Sequence, residues 1–114
     1  MTGRFRRNER IRRRVEFQRV YERGVKIQGR YSTLFVLPNQ HEVGRLGIAA
    51  TKKLGGAVQR NRAKRLIREV FRRNRIASGF DVVVVPRPKL LEVGLSALEA
   101  DYRTVLERRI QHGR

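Results

Sequence analysis

Apolar residues change their period several times along this chain, and each change marks an element. Phe17, Val20 and Tyr21 stand at i, i+3 and i+4 and predict a short helix over 15–24 that Gly24 stops. Over 31–37 the pattern alternates: Thr33, Phe35 and Leu37 face one way, Leu34 and Val36 the other, as in a strand. The polar segment 38–44 then reads as a hairpin loop and 45–51 as its return strand, with Val25, Lys26 and Ile27 as a short strand ahead of both. The small residues Gly47, Ala49 and Ala50 leave room for another element to come close.

From Ala57 to Ala77 the period becomes helical again. At about 100° per residue, Ala63, Leu66, Ile67, Val70 and Phe71 fall within an arc of roughly 140°. The other positions include Arg60, Arg62, Lys64, Arg65, Arg68, Arg72, Arg73 and Arg75, so one side of a rod of roughly 30 Å faces a core and the other is positive. Ser78 and Gly79 end it, and the run Val82 to Val85, closed by Pro86, reads as a strand buried on both faces. A strand–helix–strand unit over 45–86 makes its two strands parallel. Leu95, Leu98, Tyr102, Val105, Leu106 and Ile110 mark an amphipathic closing helix. The order is α, two or three β, α, β, α: an α+β domain with one mixed sheet.

Charge narrows the class of partner. The chain has 114 residues, enough for one domain over 1–114, with 28 Lys plus Arg against 10 Asp plus Glu and a net charge of +18. Such an excess repels itself in a compact state and implies a polyanionic partner. Residues 1–10 are expected to form a flexible basic arm, with Ile11 as the anchor that follows it. The absence of cysteine excludes disulfides, Cys-ligated zinc and a thiol nucleophile, and suits the cytoplasm. No apolar run is long enough to span a membrane, and no membrane partner is expected.

Between 57 and 77 Glu69 is the only acid, whereas an ordinary solvated helix face interleaves Glu with Lys and Arg. Arg60, Arg62, Lys64, Arg65 and Arg68 are therefore candidate phosphate contacts, with Asn61 either bonding RNA or ordering the helix start. The turn Lys53-Leu54-Gly55-Gly56-Ala57 lacks the Gly-Lys-Ser/Thr ending of a nucleotide-binding P-loop. Spacing alone leaves Phe17, Tyr21 and Phe35 as core or as ligand-facing, with core the commoner outcome. No catalytic or metal-ligating set stands out: His41 falls in a loop, His112 in the tail, and the acids are scattered, with Glu99 and Asp101 unable to share a helical face.

Residues 51–69, and above all Arg60-Asn61-Arg62 followed by Lys64-Arg65-Leu66-Ile67-Arg68, closely resemble the signature of the bacterial ribonuclease P protein subunit. Phe17-x-x-Val20-Tyr21-x-x-Gly24, Arg45-Leu46-Gly47-Ile48 and Asp81 to Val84 before Pro86 support the match, which spans about residues 10–110. Gly56 stands where some members carry a basic residue. The resemblance implies an α-β-β-β-α-β-α sandwich of ribosomal-protein type with a left-handed β-α-β crossover, against the usual right-handed rule. It implies an endoribonuclease holoenzyme in which one protein joins one catalytic RNA. That RNA, with Mg2+ held by RNA and substrate, removes the 5′ leader of precursor tRNA. It further implies that Lys52, Lys53, Arg60, Asn61, Arg62, Lys64, Arg65 and Arg68 bind RNA. Phe17, Tyr21, Phe35, Thr51 and Lys52 would line a cleft for the single-stranded leader, the aromatics by stacking. A structural ribosomal or general RNA-binding protein is the alternative that charge and fold leave open.

Overall fold

The structure, a computed structural model, describes residues 7–112, with side chains described through Arg109. Helix α1 (Arg14–Arg23), strands β1 (Val25–Gln28), β2 (Ser32–Pro38) and β3 (Arg45–Ile48), helix α2 (Ala57–Arg73), strand β4 (Phe80–Pro86) and helix α3 (Leu95–His112) follow in that order. This is the expected α-β-β-β-α-β-α succession. Single 3-10 turns at Arg7–Glu9, Lys52–Leu54 and Pro88–Glu92 join or precede them.

The four strands form one mixed sheet in the order β1-β2-β4-β3. Strand β4 runs parallel to β3, as the strand–helix–strand pattern requires, and antiparallel to β2. The expected hairpin across 38–44 does not form, because β4 lies between β2 and β3. The hairpin is instead β1–β2, with Val25 opposite Val36 and Gln28 opposite Thr33. The physical reason is the valine run: Val82, Val83 and Val84 are almost wholly buried, which only an interior strand with both faces covered allows. The 39–44 connection passes the end of β4 and is tied to it. The Asn39 amide N–H donates to the Gly79 carbonyl at 2.9 Å, and its Nδ2 donates to the Val43 carbonyl at 3.0 Å and Asp81 Oδ1 at 2.9 Å. Strand β3 ends at Ile48, earlier than the predicted Thr51, although the Ala49 N–H still reaches the Val84 carbonyl.

The alternation in β2 and β4 feeds two unequal layers. Leu34, Val36, Val82 and Val84 join Leu46 in the larger core with Ala63, Ile67, Val70 and Phe71 of α2 and Leu98, Tyr102, Val105 and Leu106 of α3. On the opposite face, Val83 joins Ile11 and Val20 in a much smaller cluster, against which Phe17, Phe35, Leu37 and Val85 pack. Val36 belongs to the larger core with Leu34. The anchoring of the N-terminal stretch includes Glu9 as well as Ile11: both are buried, Glu9 pairs with Arg75, and the Ile11 N–H donates to the Leu46 carbonyl at 2.9 Å. Arg4 and Arg6 of the expected arm, and the side chains of Ile110 and His112, lie outside the described residues.

Helix α2 stops four residues short of the predicted Ala77. Asn74 is responsible: its backbone N–H donates to the Val70 and Phe71 carbonyls, and its Nδ2 donates to the Val70 carbonyl at 2.8 Å, satisfying the last turn from the side. Asn74 Nδ2 also donates to Glu99 of α3 at 2.9 Å, so the stop is also a joint between the two helices.

Candidate nucleic-acid interface

Helix α2 begins with no side-chain N-cap hydrogen bond and no acid in its first turn. The Gly56 N–H donates to Oε1 of Gln59 at 3.1 Å, half of a capping box. Cations in the early turns oppose the helix dipole, so helix stability does not account for their placement. Asn61, Arg62, Arg65 and Arg68 are exposed, while Arg60 and Lys64 are half-buried. Arg60 falls at the border of the apolar arc and donates to the Gly55 carbonyl at 3.0 Å, so it fastens the helix entry as well as offering charge. Among the described residues, Arg62, Lys64, Arg65 and Arg68 pair with no carboxylate. Glu69, the one acid of the helix, is taken by Arg72, whose guanidinium holds its carboxyl below the usual range.

Thr51, Lys52 and Lys53 are exposed on the turn that leads from β3 into α2. Leu54 is buried beneath it, and Thr51 Oγ1 accepts from the Lys53 N–H at 3.3 Å, which fixes the turn.

The three aromatic candidates come together on the smaller face of the sheet. The Phe17 and Tyr21 rings, one turn apart on α1, have centroids 6.4 Å apart and planes at 44°. Tyr21 meets Phe35 of β2 edge-on, at 4.9 Å and 80°. Tyr21 remains 39% exposed, which leaves a ring for a ligand to meet. Burial raises the Tyr21 phenol above its ordinary value, so it stays a neutral O–H donor in the physiological range. Phe17 lies over Gly47: a Cβ there would sit 2.8 Å from the ring, so the close approach expected of a small residue is realised by this pair.

The basic helix and the aromatic group meet. A cleft of about 170 Å3 is lined by Arg10, Arg12, Phe17, Ile48, Lys64 and Arg68, among others. It joins two sets of residues that sequence kept apart. Of the residues expected to form the leader cleft, Phe17 lines it, and Tyr21, Phe35, Thr51 and Lys52 do not. Arg10 belongs to the expected basic arm and Arg12 follows its anchor; the bridge of Arg10 to Leu46 lays this stretch beside β3.

Sequence reasoning also missed Arg45. Its Nε and Nη2 grip Asp81 at 2.8 and 2.7 Å, and its Nη1 donates to Glu16 Oε2 at 2.9 Å. The Asp81 hydrogen bonds, opposed by burial and joined by Glu16, raise the guanidinium pKa further. Burial pushes the Glu16 carboxyl up, but Arg45 and the Arg13 and Arg12 amides outweigh it and hold it below its ordinary value. The pairing of Arg45 with Asp81 follows from the parallel register, in which they stand opposite each other.

The acids do not converge. Glu99 pairs with Arg73 at 3.2 Å, whereas Asp101 accepts from the Arg30 N–H at 3.0 Å, so the two turn to different neighbours. Among the described residues no group of three His, Cys, Asp or Glu could hold a metal ion, and no helix is long and apolar enough to cross a membrane. His41 is exposed on the 39–44 connection.

Comparison with known proteins gives one consistent family. A family model described as Ribonuclease P matches residues 5–109. The ribonuclease P protein component of Thermotoga maritima is 41% identical over 110 residues, covering 95% of this chain and 92% of the relative. That of Caldanaerobacter subterraneus is 37% identical over 95 residues, covering 82% of each. The solved RNase P protein of Thermotoga maritima superposes with a TM-score of 0.80 at 38% identity, covering 88% of this chain and 96% of the other. That of Staphylococcus aureus gives 0.77 at 32% identity, covering 87% and 93%.

Proposed function

The chain belongs to the ribonuclease P protein family, and on that premise we propose that it grips the catalytic RNA with α2 and holds the 5′ leader of precursor tRNA against its aromatic cleft. The observation that carries this reading is the shared cleft: Lys64 and Arg68 of the basic helix and Phe17 of the aromatic group line one depression. A strand entering there meets cations for its phosphates and the Phe17 ring for a base.

In this reading Arg60, Asn61, Arg62, Lys64, Arg65 and Arg68, with Lys52 and Lys53 on the preceding turn, contact RNA phosphates. Arg does so with its bidentate fork and Lys as a point charge. Phe17, Tyr21 and Phe35 stack on leader bases, with Thr51 and Lys52 at the rim. Stacking asks little of base identity, which suits a substrate set whose leaders differ in sequence. Among the described residues, Glu16, Asp81, Glu99 and Asp101 are each engaged by an arginine or a backbone amide. As the family resemblance implies, Mg2+ is assigned to the RNA and substrate, and hydrolysis of the phosphodiester to the RNA. One protein per RNA, acting in the cytoplasm, completes the proposal.

A reconstitution assay tests it. Cleavage of precursor tRNA by the cognate RNA at low Mg2+ is expected to rise when the protein is added, with tighter binding of precursor than of mature tRNA. Equal binding of the two tRNAs would favour a general RNA-binding role and sink the proposal. Within that assay, Phe17→Ala or Tyr21→Ala is expected to weaken precursor binding by roughly 1–3 kcal/mol, the worth of one base stack. Affinity for the catalytic RNA alone should stay as it was. Parallel loss of both affinities would show that the two surfaces are not separate.

A further inference from the structure

We propose that Arg45 is a positioning residue for the aromatic cleft, tying the first turn of α1 to the sheet so that Phe17 is held over Gly47. This rests on the reading of that cleft as the leader site. Helix α1 has ten residues, too few to be stable alone in water. Among the described residues, the cluster beneath it contains three buried apolar residues, Ile11, Val20 and Val83, with Phe17, Phe35, Leu37 and Val85 half-buried against them. Its orientation therefore depends on a small number of fixed points.

One of these is built from Glu16. Its Oε1 accepts from the Arg13 N–H at 3.2 Å and the Arg12 N–H at 3.4 Å, closing the start of the helix. Its Oε2 accepts from Arg45 Nη1 at 2.9 Å. The far side of Arg45 is locked in a two-point grip on Asp81, whose side chain is 5% exposed and also accepts from Asn39. Glu16 is followed in the chain by Phe17, and Arg45 precedes Gly47 by two residues on the same face of β3. The links Asp81–Arg45–Glu16 and Phe17–Gly47 thus form two adjacent rungs between α1 and the sheet. With Nε, Nη1 and Nη2 all engaged by carboxylates, Arg45 is turned inward to the fold and is not a phosphate ligand like the cations of α2.

Glu16→Gln in the full chain keeps an oxygen for the Arg12 and Arg13 amides but sets an NH2 group, a donor, against the Arg45 Nη1 donor. Arg45→Lys keeps the charge and loses the planar fork; it serves as an independent second variant. Two readouts are taken at a temperature where both variants are folded by circular dichroism. The first is the NMR shift of the Gly47 α-protons, which lie under the Phe17 ring. The second is the affinity for precursor tRNA relative to mature tRNA in the reconstituted holoenzyme. For both variants the Gly47 signals are expected to move towards ordinary glycine values, and the precursor preference to fall roughly three- to tenfold, the scale of one ordinary net hydrogen bond. Affinity for the catalytic RNA should be unchanged. Unmoved Gly47 signals in either folded variant overturn the positioning role. Moved signals with an unchanged precursor preference support the positioning role and overturn the leader reading of the cleft instead.

Discussion

Replacing Arg65 and Arg68 together by alanine is expected to weaken binding of the catalytic RNA roughly a hundredfold near physiological salt, from two charge-assisted contacts of about 1.5 kcal/mol each. Both side chains are exposed on α2, and neither pairs with a carboxylate among the described residues. Their loss therefore frees no buried partner and leaves no intramolecular ion pair broken. Stability should accordingly change little, or rise, since alanine suits a helix better than arginine and the chain sheds part of its net charge of +18. The diagnostic measurement is a salt series. Each phosphate contact contributes a slope of about 0.7 to 0.9 in log K against log salt, so the double variant should be flatter than the parent by about 1.4 to 1.8. An unchanged slope with lower affinity would mean that the arginines act through helix geometry and not through phosphates.

The second large effect is expected at Gly47. On an unobstructed strand, valine would be preferred to glycine. Here a Cβ would lie 2.8 Å from the Phe17 ring and 3.1 Å from Ile11 Cβ, so the ring or the helix must move. Overpacking of this kind costs about 1–3 kcal/mol. Gly47→Val is expected to lower stability by about 2 kcal/mol and the melting temperature by roughly 8 °C. Displacement of Phe17 should weaken precursor binding at least tenfold, within the worth of one base stack of about 1–3 kcal/mol. The control is the double variant. Adding Phe17→Ala removes the obstruction, so the stability cost of Gly47→Val should shrink, whereas precursor binding should not recover. A stability cost that is the same with and without Phe17 would place the strain elsewhere.

The parts of the fold that were legible in sequence are those in which local period and burial agree. The face of α2 was readable because Ala63, Ile67, Val70 and Phe71 recur at helical spacing among arginines, and these residues are buried. The split of β2 into two faces was readable from alternation, with Leu34 and Val36 in one core and Phe35 and Leu37 at the other. Strand order was not readable. Nothing local to 31–51 says that β4, made later, will come between its two strands. The end of α2 was misplaced because Ser78 and Gly79 are louder stop signals than Asn74, whose capping depends on a side-chain bond back to Val70. In the site, the charges of α2 were legible because Glu69 is the only acid beside them in their own helix. The tie from Arg45 to Glu16 and Asp81 was not, since its three members come from α1, β3 and β4 and meet only in the folded chain.

The position of β4 has a further consequence, for how the chain comes to be folded. Strands β2 and β3 leave the ribosome first but must stay about 10 Å apart, two strand spacings, until β4 occupies the middle. A nascent chain that ends before Phe80 can form only the β1–β2 ladder, and the remaining sheet pairing is long-range closure, the slow kind. Val82 and Val84 complete the floor under α2, while Val83 completes the floor under α1. Both faces of the sheet, with the helices packed on them, are therefore assembled in the same event, and a chain cut short of β4 gains neither one ahead of the other.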